Sequence, residues 1–140
     1  MPVLPDACVP VTARDRIAVL AAVGVARVLA RRSPDAIGAV LTRLARTARP
    51  STYAEARLAR HTVLTVSTRC CGDNACLPRS LATALLCRTR GHWPTWCAGV
   101  VAAPPFTAHA WVEAEGRMVD EFVDGTTFTA LMSVGAPTGD

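Results

Sequence analysis

Three residue types able to perform acyl chemistry occur in one chain order. Cys76 comes first, His109 follows 33 residues later, and Asp120 stands 11 residues beyond that. Cys76 precedes an apolar-periodic segment that has Pro78 in its first turn. Proline is tolerated there because first-turn amides have no intrahelical partner. The spacing predicts Cys76 at a helix N-terminus, where unpaired amides and the helix dipole favour a thiolate. His109 lies in T-A-H-A-W-V-E, near the start of an expected strand, and Asp120 lies across the Glu115-Gly116 turn. A hairpin of that length sets a carboxylate beside the histidine strand, where it could orient the imidazole. Nucleophile, base and orienting acid in this order form a triad for cysteine acyl transfer. Glu121 competes with Asp120 for the third role, and strand alternation lets only one of them face His109. Asp120 is the preferred choice.

Each residue also has an ordinary reading. A cysteine before a helix is commonly a small buried residue, and a histidine beside Trp111 is commonly structural. Arg79, one helical turn after Cys76, either lowers the thiol pKa, docks a peptide backbone or is simply solvated. Trp111 either walls the cleft or packs in the core. The amide of Cys76 needs a second oxyanion donor. The chain has no glutamine, and its single asparagine, Asn74, is the nearest side-chain amide; it either serves there or merely makes the Asp73-Asn74 turn.

The elements that must position these groups follow from periodicity and punctuation. Asp15 to Arg31 predicts a helix apolar nearly all round, hence buried. Ser33-Pro34-Asp35 supplies a cap, a first-turn proline and a first-turn acid for a second helix carrying Ile37, Val40, Leu41, Leu44 and Ala45, stopped by Pro50. Thr52 with Glu55 reads as a capping box opening a third helix to about Ser67, with His61 inside it. Arg69 to Ala75 is a loop, and the helix from Cys76 ends near Gly91. Strands are expected over Thr95 to Ala102, Thr107 to Ala114 and Arg117 to Val123, followed by a loose tail over 128–140. Helices over 13–91 and then an antiparallel sheet over 95–123 make one α+β domain spanning 1–140.

Composition narrows the function classes. Half of the residues are hydrophobic (51%), and all 15 basic residues are arginine, with a net charge of +4. Positive charge alone, with three tryptophans and no interleaved basic–aromatic patch, does not support nucleic-acid binding. The apolar run Ile17 to Ala30 is too short to span a bilayer and contains Arg27. Met1 to Pro10 carries no secretion pattern, so the expected compartment is the cytoplasm, with no membrane partner and with reduced thiols. Cys70, Cys71, Cys76, Cys87 and Cys97 with His92 lack the paired spacing of structural zinc sites. No metal or cofactor is therefore expected. Cys87 reads as core, and Cys70 and Cys71 as thiols open to oxidation. No phosphate-binding loop is present.

The pieces C-L-P-R-S-L-A, R-G-H-W-P and A-H-A-W-V-E-A-E-G-R with a following acid resemble the leader peptidases of lasso-peptide biosynthesis. Those B proteins are transglutaminase-like, papain-related cysteine hydrolases. The likeness runs from about Cys76 to Asp120, and the length suits the split form, in which a separate small domain of about 80 residues recognises the leader. The resemblance implies a papain/transglutaminase-like fold and removal of a leader from a ribosomally made precursor, so that a separate ATP-using cyclase can close the macrolactam. It implies Cys76 as nucleophile, His109 as base and Asp120 as orienting acid. The partners it implies are the precursor peptide, a leader-recognition protein and the lasso cyclase. In the family the penultimate leader residue is commonly threonine, which implies a pocket for it. Two competing readings remain: a transglutaminase-like acyltransferase or deamidase with the same triad, and a non-catalytic scaffold subunit of the maturation complex.

Overall fold

Side-chain caps fix the helical half of the chain. The computed structural model describes residues 10–72, 75–101, 107–120 and 128–137. Thr12 and Asp15 cap each other's backbone amides at the start of α1, Ala13–Leu29. Ser33 accepts from the Ala36 amide and opens α2, Pro34–Ala45, with proline in its first turn. Thr52 and Glu55 form the expected capping box of α3, Tyr53–Val66. A 3₁₀ turn, Thr68–Cys71, leads toward α4, Cys76–Thr89. That helix gives way to Gly91, whose φ of +89° suits a residue without Cβ.

α1 differs from expectation. It buries one face, Val19, Ala22, Val23, Ala26 and Leu29, against α4 and α3. Its other sides stay in solvent, with Ile17 71% and Leu20 and Val28 each 60% exposed. Only two helices pack on it closely, so an all-round apolar sequence does not find all-round burial.

Pro50 does not end α2 directly: the helix stops at Ala45, and Arg49–Pro50 forms the short strand β1. β1 pairs in parallel with β2, His92–Trp93. Proline fits there because a two-residue edge asks little of its missing amide. Glu55 ties this corner together. Its carboxylate takes both Arg49 terminal nitrogens at 2.8 and 2.6 Å and lies 3.6 Å from His92 Nε2.

The second half is a four-stranded antiparallel sheet in the order β5-β4-β3-β6. β3 spans Thr95–Val101, β4 Ala108–Ala114, β5 Arg117–Met118 and β6 Phe128–Val134. The β4–β5 turn uses positive φ at both Glu115 and Gly116, the backbone twist that matches a two-residue hairpin. Two expectations are corrected here. The third strand ends at Met118; Val119 makes one more ladder bond to Val112, and Asp120 turns to φ +48°. The remainder of that expected strand, 121–123, lies outside the described residues. Much of the expected loose tail is β6, whose pairing with the central strand β3 supplies the order.

The core sits between the helices and one face of the sheet. Ala110, Val112 and Ala114 of β4 join Leu81, Leu85 and Leu86 of α4 in one cluster. Two tryptophans lock the layers. Trp96 donates to Ser80 Oγ at 3.0 Å, and Trp93 donates to the Val134 carbonyl at 3.0 Å. Both indoles are fully buried with their N–H satisfied.

Candidate active site

α4 begins at Cys76 with Ala75 as N-cap and no side-chain cap. The N-cap side chain therefore takes none of the amides at this helix start, which carries the positive end of the dipole. β4 delivers His109 to the same place. The interaction with His109 is the largest influence on the Cys76 thiol and pulls its pKa below the ordinary value. Burial opposes that shift, and the Ala110 backbone and the charges of His109 and Arg79 reinforce it. The structure thus brings Cys76 and His109, the two residues picked out in the sequence as candidate nucleophile and base, together.

Arg79 is not solvated. It is 5% exposed, and its Nη1 donates to the Cys70 carbonyl at 3.0 Å. It acts beneath the thiol as a buried positive charge that also pins the loop entering α4. Trp111 is buried, and its indole N–H donates to Glu113 Oε1 at 3.1 Å. Its ring stacks on His109 at 5.8 Å, so it is both core and neighbour of the imidazole.

Asp120 is placed differently from expectation. The ladder pairs Glu113 with Met118, which sets Asp120 opposite Trp111 and not opposite His109. The left-handed turn at Asp120 then sends its carboxylate to α3. Both oxygens lie 3.1 Å from Arg57 Nε, and Oδ2 meets His61 Nε2 at 2.5 Å. Its backbone amide reaches the Tyr53 hydroxyl at 3.4 Å. Its pKa is lowered because the His61 and Arg57 contacts outweigh the opposing effect of burial. Asp120 therefore braces the hairpin on α3 and does not orient His109. Glu121 and Asn74 lie outside the described residues.

The other cysteines among the described residues sit in environments that keep them protonated. Cys87 and Cys97 are buried, and burial is the main cause that pushes each thiol to about 12. Cys70 and Cys71 were expected to oxidise readily, but burial raises both, and Cys71 Sγ donates to the Leu64 carbonyl at 3.4 Å. Fewer thiolates mean slower oxidation. His92 shares a 2.6 Å hydrogen bond with Ser51 Oγ. Among the described residues no group of three His, Cys, Asp or Glu side chains is set to hold a metal ion. No helix among them is long and apolar enough to cross a membrane.

Beside the thiol lies an apolar cleft of about 280 Å³. It is lined by Pro34 and Ile37 of α2, Trp96 and Ala98 of β3 and Met132 of β6, together with Cys76 and His109. α2 and β6 both contribute to this lining, so a helix early in the chain and a strand near its end meet at the site. Two contributors escaped the sequence reading. Phe128 stacks on His109 at 4.8 Å, from a segment whose sequence reads as a loose tail. His61 sits on α3, 59 residues from its partner Asp120, with no local pattern to mark it.

A family model described as the transglutaminase-like superfamily matches residues 19–133. No curated protein and no solved structure matches the chain.

Proposed function

The chain belongs to the transglutaminase-like superfamily, and from that premise we propose that it is a cysteine peptidase that removes the leader from a ribosomally made lasso-peptide precursor. The observation that carries the chemistry is the Cys76–His109 pair at the N-terminus of α4, with the thiol held below its ordinary pKa. The C-L-P-R-S-L-A and A-H-A-W-V-E motifs, which resemble those of the leader peptidases, supply the substrate class.

In this reading Cys76 attacks the carbonyl carbon of the scissile peptide bond as a thiolate. The negative charge moves to the carbonyl oxygen, which the Cys76 amide and the helix dipole stabilise. His109, as imidazolium, protonates the leaving amine as the C–N bond breaks, and a thioester remains. His109 then takes a proton from water, whose oxygen attacks the thioester, and the thiol returns as the leader is released. Arg79 contributes charge behind the thiol. The apolar cleft beside it accepts an uncharged side chain of the leader next to the cut. The leader is delivered by a separate recognition protein, and a cyclase consumes the freed core peptide.

The test is reconstitution. Protein, leader-recognition protein and precursor are incubated together, and masses are followed with wild type and with Cys76→Ala. Scission dependent on Cys76 is expected. Scission that survives Cys76→Ala overturns the cysteine mechanism. A mass shift without scission identifies the acyltransferase or deamidase reading, and an unchanged precursor identifies the scaffold. Because the leader must be presented, free precursor should turn over slowly in the absence of the recognition protein.

A further inference from the structure

The base of this site is one ring of three. His109 stacks on Phe128 with centroids 4.8 Å apart and planes 17° from parallel, and on Trp111 at 5.8 Å and 16°. Trp111 and Phe128 are themselves 5.3 Å apart. These distances close a triangle, so both large rings lie to the same side of the imidazole. The imidazole nitrogens, which bond in the ring plane, stay clear of this stack, and the ring interacts with Cys76. Trp111 shares β4 with His109, two residues on, and so lies on the same face of the strand. Phe128 comes from β6, across the central strand.

What lets Phe128 reach His109 is a local fault in the sheet. β3 and β6 keep register from Trp96 to Ala98, and the register shifts between Ala98 and Gly99. At Gly99 the two backbones come so close that a Cβ would fall 1.9 Å from the Thr129 carbonyl oxygen. Gly99 is also the residue directly across from His109 on β4. A bulge re-aims side chains along the strand beyond it, and Phe128, paired with Val101 just past this bulge, is carried toward the imidazole.

We propose that Phe128 is a positioning residue for His109, carried onto the imidazole by the close β3–β6 approach at Gly99 and holding the ring in the orientation that meets Cys76. The stack restricts ring rotation, and a ring face beside the imidazole favours its cationic form. Phe128 is not itself among the residues lining the cleft. It acts through His109. This inference rests on the reading of Cys76 and His109 as nucleophile and base, and not on the identity of the substrate.

The experiment needs no substrate. The rate of iodoacetamide modification at Cys76 is followed against pH by peptide mass mapping in wild type, Phe128→Leu and Phe128→Tyr, with melting temperatures recorded in parallel. Wild type should show a thiolate–imidazolium arm that keeps modification fast well below the range of an ordinary thiol. Phe128→Leu, which keeps apolar bulk but no ring, should lose roughly tenfold of the rate near pH 6 as the arm collapses, and Phe128→Tyr should retain it. A Phe128→Leu profile that superposes on wild type overturns the proposal, even if the melting temperature falls, because a purely structural ring would move stability alone. A Phe128→Tyr profile as deficient as that of Phe128→Leu also overturns it. If wild type lacks the arm, the nucleophile–base reading itself fails, and this inference fails with it. Absence of peptide cleavage with an intact arm would touch only the substrate assignment.

Discussion

At the residue scale, the thiols of this chain divide by environment. Cys76 is lowered by His109, the Ala110 backbone and Arg79, whereas Cys71 is raised by burial. At neutral pH iodoacetamide should therefore modify Cys76 faster than Cys71 by about tenfold or more, since only the thiolate reacts. Comparable rates would remove the basis for a nucleophile at Cys76. Asp120 carries the opposite lesson. Its carboxylate is committed to Arg57 and His61, so Asp120→Asn should lower stability while leaving the alkylation profile of Cys76 unchanged. The pH dependence has a definite sign. A carboxyl lowered in the folded state adds stability above its unfolded value near 3.8 and loses it as pH falls below that. Wild type and Asp120→Asn should converge in urea midpoint as pH falls through and below that value. A profile that shifts with Asp120→Asn would instead restore the acid to the catalytic group. The placement of Cys76 at a helix start and of His109 on a strand was legible because the signals are local: a proline in the first turn after Cys76 and a histidine inside an alternating segment. The partner of Asp120 was not legible, because His61 belongs to a helix that only the tertiary fold brings near.

At the scale of elements, what carries Cys76 to the sheet is the join between α4 and β3. Ser80 lies in the first turns of α4, accepts from the Trp96 indole at 3.0 Å and donates to the Leu77 carbonyl at 3.0 Å. Both Ser80 and Trp96 are buried, so removing the hydroxyl strands an indole N–H away from water. Ser80→Ala should cost about 1–3 kcal/mol in urea unfolding, with little change in slope. A loss below a few tenths would mean the indole finds another acceptor. The same contrast between local and long-range order explains which elements could be read in advance. α2 and α3 announce themselves with Ser33-Pro34-Asp35 and the Thr52–Glu55 box, whose bonds span three residues. The hairpin announces itself with Glu115-Gly116. β6 has no such marker. Thr129, Ala130 and Leu131 are all exposed, so it lacks the alternation that marks a half-buried strand, and its order comes from pairing with β3. Arg117 to Val123 reads as a strand by composition, yet the left-handed turn at Asp120 ends it. That turn is anchored on α3, where Glu115 accepts from the Tyr53 amide at 2.9 Å and the Arg117 guanidinium covers the Tyr53 ring at 4.0 Å.

At the scale of the whole molecule, the buried titratable groups bound stability from both sides. Burial depresses the pKa of His92, so between its folded value and 6.5 the unfolded chain binds a proton that the folded one refuses. Stability therefore falls as pH drops below about 6.5. Glu55, lowered first by Arg49, and Asp15, lowered by the Thr12 cap, add a second decline below their unfolded values of 4.5 and 3.8. On the alkaline side the sign reverses. Cys87 and Cys97 are pushed to about 12, while unfolded thiols ionise near 9.0. Above 9.0 the unfolded chain releases protons that the folded chain retains, and stability is lost as pH rises. With no lysine and only one tyrosine in the sequence, thiols dominate this limb. The urea midpoint should therefore form a plateau between about 6.5 and 9 and decline on either side. Replacing both Cys87 and Cys97 with alanine should lower the plateau through lost packing, since each side chain is fully enclosed. It should also flatten the alkaline limb, because the two thiols raised to about 12 are gone and, among the described residues, only the thiols of Cys70 and Cys71 remain raised by burial. An alkaline slope as steep in the double variant as in wild type would show that these two thiols do not govern it. The effect of Cys76→Ala should be the opposite in kind: its pKa is lowered rather than raised, so removing it leaves the slope above 9 intact while abolishing the thiol on which the proposed chemistry depends.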